Sequence, residues 1–381
     1  MADLLFRIHR SELLPALDAA CAASDRGAKI PILGHVLLRP EGDLLRLRGT
    51  DLDIEIDATC QLLEASAANG IALSASDLLS LVKSLPEAAE ISFSTGRGTG
   101  QISVETKASR FTLLGLPEKD FPSIASAIKG ETFETEIAPL ISAIGKVLFA
   151  VDKADSGRPY TLGIYVAPDE AAGKVLVSAT NLRSLGAIRL RTQTEAKFTP
   201  VLIPSKLAQT MRKLFSDEKA TASITVSDHL IGISCGDIAI FSRLIDAEFP
   251  VRIFETLPAV PDHDIIAPVE ALKVSVRRIL MVARDVMKEG VRLSLTAGGL
   301  RLELVNGQGE YIVEDVPVDF DGNADFAIGL NGKALSSLLD SVSTQDVRIG
   351  FTANGNTVFR PTADIDDTFA IAPMHARGVE A

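Results

Sequence analysis

The chain repeats itself three times, and this limits its fold more than any other feature of its 381 residues. An amphipathic stretch, Ser76–Leu85, precedes the strand-like Glu90–Ser94. Ser205–Phe215 precedes Ala222–Val226, and Asn331–Asp340 precedes Asp346–Phe351. Leu78, Leu207 and Leu335 align across the three, in steps of 129 and 128 residues. Ser76, Ser205 and Asn331 open these stretches, where a side-chain oxygen can accept an orphan N–H of the first helical turn. Further helix patterns start near Ser11, Pro139 and Pro268; proline suits a first turn, whose N–H has no intrahelical partner anyway. Alternating segments follow each: 44–48 and 52–56, then 160–167 and 174–179, then 291–295, 300–305 and 311–318. Alternation with period two, as in Asp51–Ile56, buries one face of a strand and wets the other. Each module closes on an aromatic: Asp120-Phe-Pro122, Glu248-Phe-Pro250, and Phe369 ahead of Ala372-Pro373. The expected architecture is α+β: three tandem pseudo-equivalent domains at 1–127, 128–256 and 257–381, each with two helices against antiparallel sheet. The stretches 122–132 and 250–263 read as linkers.

Several functional classes drop out. Hydrophobic residues make up 46% and charged residues 23%, an ordinary globular composition. No run reaches the length of a membrane helix, so no membrane partner is expected, and Met1–Arg10 lacks the apolar core of a secretory signal. Cys21, Cys60 and Cys235 lie far apart, with neither metal nor disulfide spacing, which fits a reducing cytoplasm. Ser94–Gly100 is glycine-rich but opens no helix, so it is a hairpin loop and not a phosphate cradle. The five histidines have no triad or metal spacing, and Asp51 and Asp53 read as charge on the wet face of a strand. No catalytic residue, metal or cofactor is expected.

The net charge of −12 argues at first sight against nucleic acid. It is unevenly spread: 205–219 and 268–289 each carry +2. If one helix runs from Pro268 to Lys288, then Lys273, Arg277, Arg284 and Lys288 fall within an arc of about 60°. Val269, Leu272, Val276, Ile279 and Val286 lie opposite. Lys146 and Lys153 share a face of the helix from Pro139, and Lys206 and Lys213 share one on the next. Taken alone, each stripe is equally an ordinary solvated face.

Pro31-Ile-Leu-Gly34, Leu44–Arg48 and Gly49–Ile56 resemble the first module of the bacterial β sliding clamp family of DNA polymerase III. Ser109-Arg-Phe-Thr-Leu113, Leu116-Pro117 and Asp120-Phe-Pro122 are similar to that module's end. Asp246–Pro250 is similar to the end of the second, and Ala372-Pro-Met374 to the terminal segment. The resemblance covers essentially the whole chain in order. It implies a homodimer closed head to tail into a ring around duplex DNA, with no sequence preference and no chemistry of its own. A heterologous contact of this kind closes only if its rotations complete a circle. The implied partners are DNA polymerase III and the clamp loader, each docking a short peptide.

The resemblance also assigns residues. The lysine and arginine stripes would line the hole as a weak, salt-sensitive phosphate track. Arg26, Lys29, Arg158 and Tyr160 match rim positions that touch DNA. Phe111 and Leu113 match one side of the dimer seam; Leu280, Val282 and Ala283, on the first helix of the third module, match the other. Thr180, Leu182, Leu185, Pro250, Asn331, Pro373 and Met374 match the hydrophobic peptide cleft. Departures gather there. Thr180-Asn-Leu-Arg-Ser-Leu185 stands where the family commonly has Thr-Asp-Gly-His-Arg-Leu, so Leu182 adds bulk and Ser184 loses a long stem. Pro373-Met-His-Ala376 replaces Pro-Met-Arg-Leu and is followed by Arg377–Ala381. Val251-Arg-Ile-Phe254 carries one apparent insertion. A remodelled cleft is expected. An accessory or resistance-type clamp with altered partners, or a protein-binding scaffold that does not encircle DNA, are the competing readings.

Overall fold

The computed structural model describes all residues except 1–2, 26, 67–68, 125–127, 155, 170–172, 216–219, 286–287, 319, 321–325, 354, 365 and 380–381. It contains the six expected helices: α1 Arg10–Cys21, α2 Ala75–Ser84, α3 Ile137–Val147, α4 Ser205–Leu214, α5 Val269–Leu280 and α6 Gly332–Ser341. Two caps differ in detail. Ser74, not Ser76, caps α2 by accepting the Asp77 N–H, and Ser205 lies inside α4 as its first residue. Asn331 caps α6 as expected, its Oδ1 accepting the Ala334 N–H at 2.9 Å.

Two helix ends fall short of the sequence pattern. α5 stops at Leu280, so Val282, Ala283, Arg284 and Lys288 are not helical, and the common arc for Arg284 and Lys288 does not exist. α3 stops at Val147, and a short 3-10 turn at Leu148–Ala150 takes Lys153 off the shared face. In both cases the polar spacing continues while the chain turns away to start the next strand.

The chain divides into two compact units. The first comprises Met1–Ala138, Gln193–Phe198 and Gln209–Leu244. One antiparallel sheet runs through it. Its centre is the ladder of Leu44–Thr50 on Ile54–Gln61, and Ile54–Gln61 on Ile238–Arg243. The last pairing joins a strand of the first repeat to a strand of the second. α1 and α2 lie over a core of Phe6, Leu13, Leu17, Leu38, Leu47, Leu78, Val82 and Phe93, with Phe6 and Phe93 stacked at 4.5 Å.

The second unit comprises Pro139–Thr192, Thr199–Ala208 and Ile245–Ala381. Among the described residues it holds an eight-stranded and a four-stranded sheet. In the larger, Ser184–Arg191 pairs with Thr368–Ile371, joining the second repeat to the third as the first repeat is joined to the second. The smaller runs in the order Tyr311–Val316, Gly299–Val305, Gly290–Thr296, Phe326–Asn331. No described helix is long and apolar enough to cross a membrane.

The Asp51–Ile56 alternation needs correction. Asp51–Asp53 form a turn, and the strand begins at Ile54. Glu55, expected on a wet face, is fully buried. Its carboxylate accepts the Ile124 N–H at 2.7 Å and the Ser123 hydroxyl at 3.1 Å, and meets Arg48 Nε at 3.1 Å. The linker after Pro122 covers the face that alternation alone would leave in water.

Candidate functional site

A cavity of about 220 Å³ opens in the second unit, beside the junction of Ser184–Arg191 with Thr368–Ile371. Leu182–Leu185, Ile253, Thr256, Leu257, Asn356, Ala370 and Ala372 line it. Its floor is a small apolar cluster of Leu185, Val358 and Ala370, packed on by Ile253, Phe254 and Leu257. An apolar pocket with a few polar groups at its rim suits one or two hydrophobic side chains of a partner.

Local chemistry builds the rim. Thr180 Oγ1 donates to the Ser184 carbonyl at 2.9 Å and accepts the Leu182 N–H at 3.0 Å. Asn181 Oδ1 accepts the Arg183 and Ser184 N–H groups at 3.1 and 2.8 Å. An Asx turn of this kind tolerates left-handed backbone, and Leu182 adopts it, with φ +69°. That conformation presses Cβ on the backbone and suits glycine better. Leu182 is 40% exposed and stands at the cavity mouth. The opposite wall is the 3-10 helix Val251–Thr256, which starts at Pro250. Phe249, just before it, stacks on Tyr165 at 4.4 Å, and burial raises the Tyr165 phenol above its ordinary pKa.

The seven expected cleft residues are not all neighbours. Leu182 and Leu185 line the cavity; Thr180 shapes its turn and Pro250 begins its wall. Pro373 and Met374 instead line a second cavity of about 360 Å³, with Arg292, Phe326–Gly329, Ala353, His375 and Ala376. Asn331 lines neither and caps α6. Leu257 and Asn356 were not expected at the cleft, and Ile253 was expected there only as part of the insertion Val251–Phe254. The apolar i, i+4 pair Ile253–Leu257 in a stretch read as linker was the available signal for these two.

The basic residues separate into groups. Lys29, Lys153 and Arg158 are exposed, Tyr160 is half-buried, and Arg26 lies outside the described residues. Lys206, Arg212 and Lys213 are exposed along α4. Lys273, Arg277, Arg284 and Lys288 meet Glu270, Asp340, Glu310 and Asp285 at 2.9, 3.2, 3.0 and 3.2 Å, so that stripe is largely neutralised. Lys146 does not offer a free charge. Its Nζ lies 2.6 Å from Asp367 and 3.1 Å from Asp364, and its side chain is 16% exposed. Burial pulls the Lys146 pKa down, but hydrogen bonds and charge from Asp367 and Asp364 leave it raised. Burial raises the Asp367 carboxyl, against the pull of Lys146. Lys174 also pairs with Asp366.

Of the residues expected at a dimer seam, Phe111 and Leu113 lie on a partly open strand, and Leu280, Val282 and Ala283 lie at and after the end of α5. Phe111 and Leu113 belong to Arg110–Pro117 and pack on the core of the first unit. That strand pairs with Gln101–Glu105 along 110–114, while Ile71–Leu73 covers its other side only at Gly115–Pro117. Among the described residues, no strand pairs with the other side of 110–114. Tyr311–Val316 is likewise an edge strand among the described residues, paired only with Gly299–Val305. Leu280 is half-buried, and Val282 and Ala283 follow the end of α5. Leu114 and Tyr311, on these strands, and Met281, at the end of α5, are apolar side chains exposed by 72%, 61% and 81%, and none was anticipated.

No group of histidine, cysteine and carboxylate side chains among the described residues could hold a metal ion. Burial pushes the Cys60 thiol up to about 12, which removes it as a nucleophile at neutral pH.

Comparison with known proteins agrees along the whole chain. The chain matches the N-terminal, central and C-terminal domains of the DNA polymerase III beta subunit over residues 4–125, 135–251 and 255–375. It is 27% identical to the beta sliding clamp of Pseudomonas putida over 97% of this chain and 99% of that one. The sliding clamp of Pseudomonas aeruginosa bound to griselimycin superposes with a TM-score of 0.91 at 26% identity, over 98% of this chain and all of that one. The clamp of Caulobacter crescentus gives 0.89 at 26% identity, over 97% and 99%.

Proposed function

The chain belongs to the DNA polymerase III beta subunit family, and we propose that it is a DNA sliding clamp: a homodimeric ring that encircles duplex DNA and tethers polymerase and clamp loader through the Leu182–Leu185 cleft. It works by enclosure in the cytoplasm, without chemistry or cofactor, and its modules are 1–127, 128–256 and 257–381.

The observation that carries the ring is the repeated junction. Twice within the chain, the strand after a module's Asx turn pairs with the last strand of the next module: Ile54–Gln61 with Ile238–Arg243, and Ser184–Arg191 with Thr368–Ile371. Among the described residues, the third such strand, Tyr311–Val316, lacks a partner of this kind, and the corresponding strand of the first module, Arg110–Pro117, lacks one along 110–114. A second copy supplies both. Open strand edges invite this pairing, and covering Leu114, Tyr311 and Met281 favours it. Phe111→Ala then weakens the dimer. Sedimentation at falling concentration measures this, and a variant that stays dimeric wherever the wild type does contradicts it.

The DNA track in this reading rests on Lys29, Lys153, Arg158, Tyr160 and the exposed bases of α4. With α5 neutralised by acids, affinity is weak and falls steeply with salt. The bulk of Leu182 favours a clamp with a narrowed partner range, and we take griselimycin, bound by the Pseudomonas aeruginosa relative, as a ligand that would enter this cleft and so probe it.

A further inference from the structure

We infer that Gly290 and Gly329 position the wall of the partner cleft, by seating the C-terminal segment 373–379 on the small sheet of the third module. This deepens the cleft reading above and rests on it.

Gly329 lies inside the strand Phe326–Asn331, where glycine ordinarily weakens a sheet, and Gly290 opens the neighbouring strand Gly290–Thr296. Neither has the positive φ that would demand glycine, and the register between these strands runs without a bulge. Space is the remaining reason. A Cβ on Gly329 would lie 2.2 Å from the Met374 carbonyl oxygen and 2.7 Å from the Ala376 Cβ. One on Gly290 would lie 2.8 Å from the His375 carbonyl oxygen. Gly329 stands opposite Arg292, two residues along from Gly290, so these three share a face. The Met374 N–H donates to the Gly329 carbonyl at 2.8 Å, and Gly378 passes over the Arg292 stem. The tail therefore crosses one face of the sheet in backbone contact.

The residue before this segment belongs to the cleft. Ala372 lines the cavity, and its N–H donates to the Arg183 carbonyl at 2.7 Å, tying the tail to the Leu182 turn. A seated tail holds Ala372 against that turn. An unseated tail frees one wall, although no residue inside the cavity has changed.

The test uses the full-length protein, calorimetric titration with griselimycin, and trypsin cleavage after the exposed Arg377 as the reporter of tail release. Gly329→Ala is expected to speed cleavage and weaken griselimycin about tenfold, with the melting curve little changed. Deleting 374–381 is expected to weaken it similarly, and Gly329→Ala in that background to add nothing, because its effect runs through the tail. A merely structural glycine would instead cost affinity in both backgrounds. Faster cleavage with unchanged affinity overturns the inference. If Gly329→Ala does not fold, unchanged affinity in the 374–381 deletion overturns it alone. Failure of both the wild type and Leu182→Gly to bind griselimycin removes the cleft reading itself.

Discussion

At the first junction, the turn Thr50–Ile54 closes with Thr50 Oγ1 donating to the Ile54 carbonyl at 2.9 Å and Asp51 Oδ1 accepting from Asp53 and Ile54. At the second, Thr180–Ser184 closes in the same way, again with a leucine at positive φ in its middle: Leu52 at +79°, Leu182 at +69°. The next residue separates them. In the first it is Glu55, whose carboxylate takes the linker amide of Ile124 and draws the linker down over the strand. In the second it is Leu185, which offers no acceptor. There the linker bonds within itself, Val251 N–H to the Phe249 carbonyl and Ile253 N–H to that of Pro250, and stands off as a 3-10 helix beside an open cavity. One backbone thus yields a sealed joint and an open cavity, according to whether a buried acid or a leucine follows the turn. The joints are also secured differently. Thr59 and Arg243 bond to backbone groups across the first, with Asp237 and Leu52, whereas Lys146 and Lys174 reach Asp364, Asp366 and Asp367 across the second.

The largest expected effect breaks the ionic joint. Lys146→Met leaves Asp367 buried without its cation, and removing one partner of such a pair costs about 3 kcal/mol. Denaturant unfolding followed by hydrogen exchange should show the loss in the second unit only; equal loss in both units would dissolve the contrast.

Next is Glu55→Ala, which orphans the Ile124 N–H and part of Arg48 and costs about 2 kcal/mol. It should raise proteolysis in the linker after Pro122, and a linker as resistant as in the wild type would count against the sealing role. The carboxyl also carries a pH signature. Burial raises the Glu55 pKa above its ordinary 4.5, against the pull of Arg48. Between those values the folded state holds more protons than the unfolded, so this group's contribution to stability falls as pH rises. The melting temperature of the wild type relative to Glu55→Gln should therefore decline as pH rises from 4.5; a rise would reverse the sign.

The smallest effect is Leu182→Gly. Relief of the left-handed strain is worth about 1 kcal/mol, partly offset by the greater freedom glycine gains in the unfolded chain. Stability should hold or rise slightly while griselimycin binds more tightly in a wider mouth. Weaker binding would make Leu182 a contact rather than an obstruction.

The tandem repeat, the helix starts and the α+β arrangement were legible because they rest on local periodicity. What was missed depends on segments distant in sequence. Glu55 looked wet because alternation cannot know that a linker will return over it. Lys146 looked like part of a basic face because Asp364 and Asp367 belong to the next module. Arg284 and Lys288 kept helical spacing beyond Leu280, where the chain had already left the helix. Leu182 stood out as a departure from the family pattern, but its positive φ was not legible. Pro373 and Met374 were placed at the cleft by resemblance, whereas the glycine-floored face of the small sheet takes them to a neighbouring cavity.

Enclosure is the central claim, and retention on DNA of different topology tests it most directly. Protein loaded onto a nicked circular plasmid by a bacterial clamp loader is passed over a sizing column in high salt, before and after the plasmid is cut once. The account predicts that the protein stays with the circle and leaves once the DNA has ends. Equal retention on both, or loss from both, would contradict it.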